Sequence, residues 1–199
     1  MTQNLFRVEI KIPLTNFETS FFFKKLKEYN FEKKFSDRVV NSIYFENNLL
    51  SIFRNSEEGI LPRKKIRIRN YPNSKDKKLY FEKKISSIEG RYKEVKKISK
   101  EKYNEYCSFG IIDNIYGVIK PKISIKYTRS YFENKHLRVT FDRNISYSHY
   151  DKNITSNDHF NIFEVKSKNN LSINSEFIDE FQIRRFSKYC NGIKKLNIN

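Results

Sequence analysis

The sequence predicts a β-dominated α+β fold in which amphipathic strands close into a barrel around a charged channel. Three observations lead to this prediction: strand-like runs outnumber helical ones, most runs alternate ionic with apolar residues, and their ionic residues carry both signs. Successive side chains of a strand point to opposite faces, so each run has one apolar and one ionic face. A flat sheet would leave the ionic faces in bulk water, whereas a barrel would gather them around one channel.

The strands are predicted from runs of alternating residues that no proline interrupts. The clearest runs are Phe6–Ile12, Lys65–Tyr71, Tyr80–Lys84, Leu137–Asp142 and Phe163–Lys166. Further strands are expected at Val39–Glu46, Gly90–Lys97 and Lys122–Arg129. The polar residues from Pro72 to Lys78 predict a hairpin turn, and Asp151–Asp158 is the most loop-like stretch.

Helices are expected in fewer places. Thr15 and Glu18 fit a capping box that opens a segment rich in phenylalanine. Shorter helices are expected at Asn48–Asn55 and Ser99–Ser108. A last helix is expected to start at Ser175, to carry Phe177, Ile178, Phe181 and Phe186, and to stop at Gly192.

Length and charge narrow the class of protein. The 199 residues suit a single domain over residues 1–199, and the net charge of +17 attracts polyanions, although part of the surplus lysine would also suit solvated faces. The chain has no apolar stretch long enough to span a bilayer and no signal-peptide pattern, so a cytoplasmic protein is expected. Cys107 and Cys190 are not in a CxxC pair, which argues against a structural zinc site or a disulfide framework.

Glutamates on the ionic faces point to metal chemistry. Glu9, Glu82 and Glu164 alternate with lysines, and carboxylates in a channel that binds a polyanion such as polyphosphate are useful as ligands of a bridging Mg²⁺ or Mn²⁺. With 3 histidines in the chain, a His-rich site is not expected. The alternative is that the three glutamates only pair with Lys11, Lys84 and Lys166, respectively.

The order of the charged motifs resembles a known family. The motifs are Arg7-x-Glu9-x-Lys11, Ser42–Glu46, Lys65-x-Arg67-x-Arg69-x-Tyr71, Phe81–Lys84, Tyr127-x-Arg129, Leu137–Asp142, Phe163–Lys166 and Phe186–Cys190 followed by Gly192. In this order the chain resembles the VTC domain, the polyphosphate polymerase branch of the triphosphate tunnel metalloenzymes. Two positions depart from the pattern: Val95 stands where an arginine is expected after Lys93, and Glu46 where an aspartate is common.

The resemblance implies the triphosphate tunnel fold, an eight-stranded antiparallel β-barrel with flanking helices. It also implies transfer of the γ-phosphate of a nucleoside triphosphate, for which we expect ATP, to inorganic polyphosphate with Mn²⁺ or Mg²⁺. The expected catalytic residues are Lys11, Lys84, Arg129 and Lys188. The expected phosphate-binding residues are Arg67, Arg69, Lys93, Tyr127, Arg138, Lys166 and Ser187. The expected metal ligands are Glu164, Glu9 and Glu82, of which the resemblance itself identifies Glu164.

Three other functions remain open at this point. A triphosphatase or polyphosphate hydrolase on the same fold would use the same residues to position a water molecule. A non-catalytic polyphosphate-binding module would not need Glu164. Binding of RNA or single-stranded DNA requires exposed aromatic residues beside the basic ones, and it is not expected because most phenylalanines fall on apolar faces. A membrane-associated partner protein is left open.

Overall fold

The computed structural model describes residues 9–167 and 176–198, so the predicted strand residues 6–8 and Ser175 lie outside the described part. The chain divides into two compact units, which are described separately. The first unit comprises the described residues of Met1–Val39, Tyr127–Ile145 and Asn157–Phe186. The second unit comprises those of Val40–Lys126, Ser146–Ser156 and Ser187–Asn199. The prediction of a single domain over residues 1–199 stays a prediction.

Strands account for most of the regular structure. They are β1 (Glu9–Leu14), β2 (Glu32–Glu46), β3 (Arg63–Asn70), β4 (Leu79–Ser87), β5 (Gly90–Ile98), β6 (Ile111–Asp113), β7 (Gly117–Glu133), β8 (Leu137–His149), β9 (Thr155–Asn157) and β10 (Asn161–Ser167). The helices are α1 (Asn16–Glu28), α2 (Ser51–Glu58), α3 (Lys100–Phe109), α4 (Glu176–Asp179) and α5 (Lys188–Lys195). None of the described helices is long and apolar enough to cross a membrane.

Eight strands follow one hydrogen-bonded order, β1-β10-β8-β7-β2-β3-β4-β5, while β6 pairs with β7 and β9 pairs with β8. The pairs with a defined register are antiparallel. Strands β2, β7 and β8 contribute residues to both units. The predicted β-dominated class, with eight antiparallel strands in series and flanking helices, is confirmed.

Phenylalanine rings fill the core of the first unit. Phe22 of α1 stacks on Phe163 of β10 and on Phe141 of β8, with ring centroids 4.3 Å and 5.6 Å apart. Helix α1 begins as predicted, because Thr15 Oγ1 accepts a hydrogen bond from the Glu18 amide at 3.3 Å and the Glu18 carboxylate accepts one from the Thr15 amide at 2.7 Å. Since neighbours along a strand face opposite sides, this packing turns the residues next to Phe163 and Phe141 to the other face of the sheet.

In the second unit, β3, β4 and β5 form an antiparallel meander. Asn70 pairs with Leu79 across the predicted hairpin turn, and Ser87 pairs with Gly90 across the next one. Ile66 and Ile68 of β3 are buried on one face. The other face therefore carries Lys65, Arg67 and Arg69.

The prediction of one long C-terminal helix from Ser175 to Gly192 is wrong. The structure has two short helices with a non-helical segment between them, and Ser187 begins the second by accepting a hydrogen bond from the Cys190 amide at 3.3 Å. Gly192 lies inside α5 rather than at its end. A Cβ there would lie 2.7 Å from Tyr147 Cδ1 and 2.9 Å from Ile123 Cδ1, so glycine is required by close packing and not by a helix stop.

Several boundaries also differ from the prediction. Strands β2, β7 and β8 are longer than expected, and α2 starts three residues later than predicted. The short strand β6 is additional, and β9 lies in the stretch expected to be a loop. Both short strands pair with the extension of a longer neighbour, which is a tertiary effect that local alternation does not encode.

Candidate functional site

The candidate residues fall into two groups, one in each unit. The carboxylate–lysine cluster of the first unit consists of Glu9, Lys11, Glu164 and Lys166. The arginine cluster of the second unit consists of Tyr44, Lys65, Arg67, Arg69, Glu82 and Lys93.

Strand pairing alternates opposite charges in the carboxylate–lysine cluster. Lys11 lies opposite Glu164, and Glu9 lies opposite Lys166, across β1 and β10. Lys166 Nζ lies 2.6 Å from Glu164 Oε1 and 3.6 Å from Glu9 Oε2. Lys11 Nζ lies 3.7 Å from Glu164 Oε2 and also pairs with Glu9. Two carboxylates therefore share the same two ammonium groups.

Glu164 is ionised in this setting. Only 8% of its side chain is exposed, and burial by itself raises the pKa of a carboxyl group. Lys166, Lys11 and Arg129 outweigh that burial and hold the pKa of Glu164 well below its usual range. At neutral pH Glu164 is a charged oxygen donor.

Arg129 of β7 makes a bidentate ion pair with Asp142 of β8. Its Nε lies 2.6 Å from Asp142 Oδ1, and its Nη2 lies 2.7 Å from Asp142 Oδ2. Burial opposes the charge of Arg129, but Asp142 raises its pKa well above the ordinary value. The guanidinium also lies over the ring of Tyr127, 5.3 Å from the centroid. Among the described residues no partner of Nη1 is seen, which leaves these N–H groups for an oxyanion.

Two residues of β8 extend the rows of the carboxylate–lysine cluster. Thr140 lies opposite Glu164, and Arg138 lies opposite Lys166. Arg138 is exposed, whereas Thr140 is buried. Thr140 Oγ1 has no hydrogen-bond partner among the described residues. A buried hydroxyl left unsatisfied costs about 1–3 kcal/mol, so its place opposite Glu164 suits it to bind a ligand.

Glu82 lies at the centre of the arginine cluster. Arg67 Nε donates to Glu82 Oε2 at 2.7 Å, and Lys93 Nζ donates to Glu82 Oε1 at 2.8 Å. Arg69 Nη1 lies 3.9 Å from Glu82 Oε2. Both oxygens of Glu82 thus contact cations, and the partners seen are Arg67 and Lys93.

Three lysines lie in one row across the second unit. Lys84 of β4 lies opposite both Lys65 of β3 and Lys93 of β5. Like charges opposite each other on neighbouring strands are destabilising. An anion placed against this row would relieve the repulsion, because it interacts favourably with all three ammonium groups.

The arginine cluster creates a strongly positive potential. Burial raises the pKa of Glu82, but Arg67 and Arg69 lower it to about 2. Burial also raises the pKa of Tyr44, yet Arg67, Arg69 and Lys65 lower it to about 8, against about 10 for an unperturbed phenol. A negative charge is therefore stabilised at Tyr44 even though the residue is buried.

Ser187 and Lys188 lie at the start of α5 in the same unit. Ser187 Oγ accepts a hydrogen bond from Lys65 Nζ at 2.9 Å, which joins the start of the helix to the arginine cluster. The next residue, Tyr189, stacks on Tyr44 with ring centroids 5.1 Å apart. The Ser-Lys-Tyr motif is thus positioned beside β2 and β3 of the second unit.

Within each unit, the structure brings most predicted site residues together, but sequence reasoning missed Tyr44 and Thr140. Tyr44 is a bulky aromatic residue between the apolar Ile43 and Phe45, so it looks like core. Thr140 is recognisably on the ionic face of its strand, yet its missing partner is visible only in three dimensions. The alternation in both strands could have placed them on the faces of Ser42 and Arg138.

The profile of the VTC domain family matches residues 15–118 and 116–197, which is nearly the whole chain. The chain belongs to the VTC domain family. The resemblance predicted from the ordered motifs is thereby confirmed. Membership supports a triphosphate tunnel fold, a triphosphate-type substrate and the use of a divalent metal.

One solved structure shares the fold of this VTC domain, and two others are similar to it at lower scores. A crystal structure described as a "putative adenylate cyclase" from Bacillus halodurans has a TM-score of 0.55 and 12% identity, and the match covers 82% of this chain and 81% of that one. At this identity the likeness shows the fold alone. A second "putative adenylate cyclase", from Vibrio parahaemolyticus, has a TM-score of 0.48 at 16% identity over 87% and 80% of the two chains. The PH1012 protein from Pyrococcus horikoshii OT3 has a TM-score of 0.49 at 13% identity over 97% and 91%. A search of the curated proteins finds no match.

The oxygen donors of the first unit fit a hard divalent cation in this VTC domain. No three His, Cys, Asp or Glu side chains within residues 9–167 and 176–198 are grouped to hold a metal by themselves. Mg²⁺, however, is commonly bound by one or two carboxylates together with substrate phosphates. Glu164, Glu9 and the unpartnered Thr140 hydroxyl supply such an incomplete set of oxygen ligands.

Proposed function

We propose that this VTC domain is a metal-dependent polyphosphate polymerase. It would transfer the γ-phosphate of a nucleoside triphosphate, with ATP as the first candidate, to a growing chain of inorganic polyphosphate in a basic tunnel. The observation that carries the proposal is the arginine cluster, whose cations lower the pKa of the buried Tyr44 to about 8 in a member of this family. A potential that favours a phenolate in a buried place also favours phosphate oxygens.

The arginine cluster suits the binding of a triphosphate. Arg67 and Arg69 offer planar forks that match phosphate oxygens, while the lysine row of Lys65, Lys84 and Lys93 offers point charges along one line. Ser187 and Lys188 add a hydroxyl and an ammonium group near Lys65. We assign Lys84 and Lys188 to charge stabilisation at the transferred phosphoryl group.

The carboxylate–lysine cluster suits the binding of the metal. Glu164 is assigned as its main ligand, with Glu9 and Thr140 as further oxygen donors, while Glu82 is assigned to holding Arg67 and Lys93. When bound, Mg²⁺ or Mn²⁺ would neutralise charge on phosphate oxygens. Further oxyanion contacts are assigned to Lys11 and Lys166 of this cluster and to three of its neighbours, Arg129, Arg138 and Tyr127.

Proton transfer is a small part of this chemistry. Phosphoryl transfer depends mainly on positioning and on neutralising charge, and the acceptor is a phosphate end that is already ionised. No strong general base is therefore needed.

The proposal is tested by incubating the protein with ATP and Mn²⁺ and separating the phosphate products by size. Long chains support the polymerase. Orthophosphate alone would identify a hydrolase with the same ligands, and unchanged ATP with tight triphosphate binding would identify a binding module. Arg67→Ala should lose product formation, whereas Arg54→Ala, at an exposed position of α2, is the matched control and should retain it.

A further inference from the structure

We infer that the hydroxyl of Tyr44 is an additional phosphate ligand, which donates its proton to a phosphate oxygen beside Arg67. The inference rests on the proposed function and deepens it. It gives a buried aromatic residue a hydrogen bond to the ligand, in addition to the contacts that the cations and the metal ligands make.

The hydrogen bonding of Tyr44 leaves one donor to be used. Arg67 Nη1 donates to Tyr44 Oη at 2.6 Å, so the phenol oxygen acts as an acceptor. A phenol also has a proton to donate. Within residues 9–167 and 176–198, no acceptor for that proton is found. A phosphate oxygen beside Arg67 would accept that proton and complete the hydrogen bonding of this buried hydroxyl.

The ring of Tyr44 is held in place by Tyr189 of α5. It stacks on Tyr189, with ring planes inclined by 25°. Tyr189 in turn donates its hydroxyl to Glu46, and Glu46 accepts the amides of Ile52 and Phe53 at 3.0 Å and 2.8 Å. These contacts fix the direction of the Tyr44 hydroxyl before any ligand arrives, which is what a binding group requires.

The groups around Tyr44 favour an anion with several oxygens. Lys65, Arg67 and Arg69 of β3 and Tyr189 of α5 interact with Tyr44, and the same elements and their neighbours also carry Glu82, Lys93, Cys190 and Glu46. Cations outnumber carboxylates in this set. A phosphate chain can accept from the Tyr44 hydroxyl and from a guanidinium through different oxygens, whereas a halide ion offers a single atom.

This role makes binding depend on the proton of Tyr44. The hydroxyl is a donor below its pKa, which Arg67 and its neighbours lower to about 8 against the effect of burial. Above that pH the phenolate has no proton to donate and repels phosphate. A bound phosphate raises the pKa of Tyr44, so affinity is highest below about pH 8 and falls as the pH rises through it.

The test is titration calorimetry with inorganic triphosphate at pH 7 and pH 9, without metal, on the full chain. Tyr44→Phe should bind about tenfold more weakly at pH 7, because a hydrogen bond to a charged group is lost. The difference in affinity between Tyr44→Phe and the wild-type protein should be smaller at pH 9. Tyr116→Phe is the matched control, since Tyr116 is also buried in the second unit but its hydroxyl accepts from neutral groups, the Asn55 amide and the Lys64 backbone amide, whereas that of Tyr44 accepts from the Arg67 guanidinium.

The outcomes separate this inference from the proposed function. If Tyr44→Phe binds like wild type at pH 7, or follows the wild-type pH profile, Tyr44 is not a ligand. If Arg67→Ala loses binding at the same time, the site itself stands. If the wild-type protein fails to bind triphosphate, both the site and the Tyr44 ligand are rejected.

Discussion

The strands of both units alternate ionic and apolar residues, but the two resulting clusters differ in their balance of charge. In the carboxylate–lysine cluster of the first unit, register places each glutamate opposite a lysine, so the charges satisfy one another. In the second unit, register places Lys84 between Lys65 and Lys93, and Arg67, Arg69 and Lys93 share Glu82 as their common partner. The charge of the residue opposite on the neighbouring strand thus distinguishes the balanced cluster of the first unit from the cluster of the second unit, which favours an anion.

The comparison indicates a division of tasks. A balanced cluster keeps ionised carboxylates in place and is suited to present oxygen ligands. A positive cluster gains stability when phosphate arrives. The same kind of substitution should therefore have different consequences in the two units, and the following experiments use that difference.

The largest effect is expected for the carboxylate that we assign to the metal. Glu164→Ala should lower turnover with Mn²⁺ by at least about a hundredfold, in line with the loss of a metal ligand. Phosphate release or chain growth gives the rate, and circular dichroism checks the fold. Glu133→Ala, which removes the partner of Lys34 at 2.6 Å in the same unit, is the control. Full activity of Glu164→Ala would contradict the assignment of a metal site to the first unit.

The next effect concerns stability. Arg129→Ala removes the bidentate partner of the buried Asp142 and should lower the free energy of unfolding by about 3–5 kcal/mol. Arg67→Ala should cost less, because Glu82 keeps its contacts with Lys93 and Arg69. Urea unfolding of both variants gives the comparison. Equal losses would mean that the two clusters contribute alike to folding.

A third prediction concerns acid. Glu82 has a pKa of about 2 in the folded protein, lower than in the unfolded chain, so its contribution is present above about pH 4 and is lost as the pH falls through about 2. Glu82→Gln should be less stable than wild type at pH 6 by up to about 3 kcal/mol, and the difference should vanish near pH 2. Denaturation at both pH values measures it. A constant difference would exclude ionisation of Glu82 as its source.

The smallest effect is expected at Arg138, which is exposed. Arg138→Ala should weaken triphosphate binding by less than about tenfold, because exposed ion pairs contribute little. Stability should change by no more than about 0.5 kcal/mol. Calorimetry and thermal unfolding give the two values. A hundredfold loss of affinity would identify Arg138 as a ligand that becomes buried on binding.

Sequence reasoning succeeded where the information is local. The Thr15 capping box, the hairpin between β3 and β4, and the faces that carry Lys11 and Glu164 all follow from residues that are close in the sequence. The ordered motifs added the family, which no single motif would have specified.

The rest depends on contacts between distant segments. The sequence predicts a helix stop at Gly192 because glycine often has that role, whereas the close approach of Tyr147 and Ile123 is the reason for glycine there. The missing partner of Thr140 and the low pKa of Tyr44 arise from register and from neighbours on other strands. Neither can be deduced from alternation, since alternation gives the face of a residue but not what lies opposite.

Glu46 connects the proposed phosphate-binding residues to α2, whose backbone amides can report whether a ligand is bound. Its carboxylate accepts the amides of Ile52 and Phe53 in the first turn of α2 and the hydroxyl of Tyr189, two residues after Ser187. A ligand that immobilises the start of α5 would also hold Tyr189 against Glu46. Hydrogen exchange at the Ile52 and Phe53 amides should then slow when triphosphate binds, which makes α2 a built-in reporter of occupancy that requires no label.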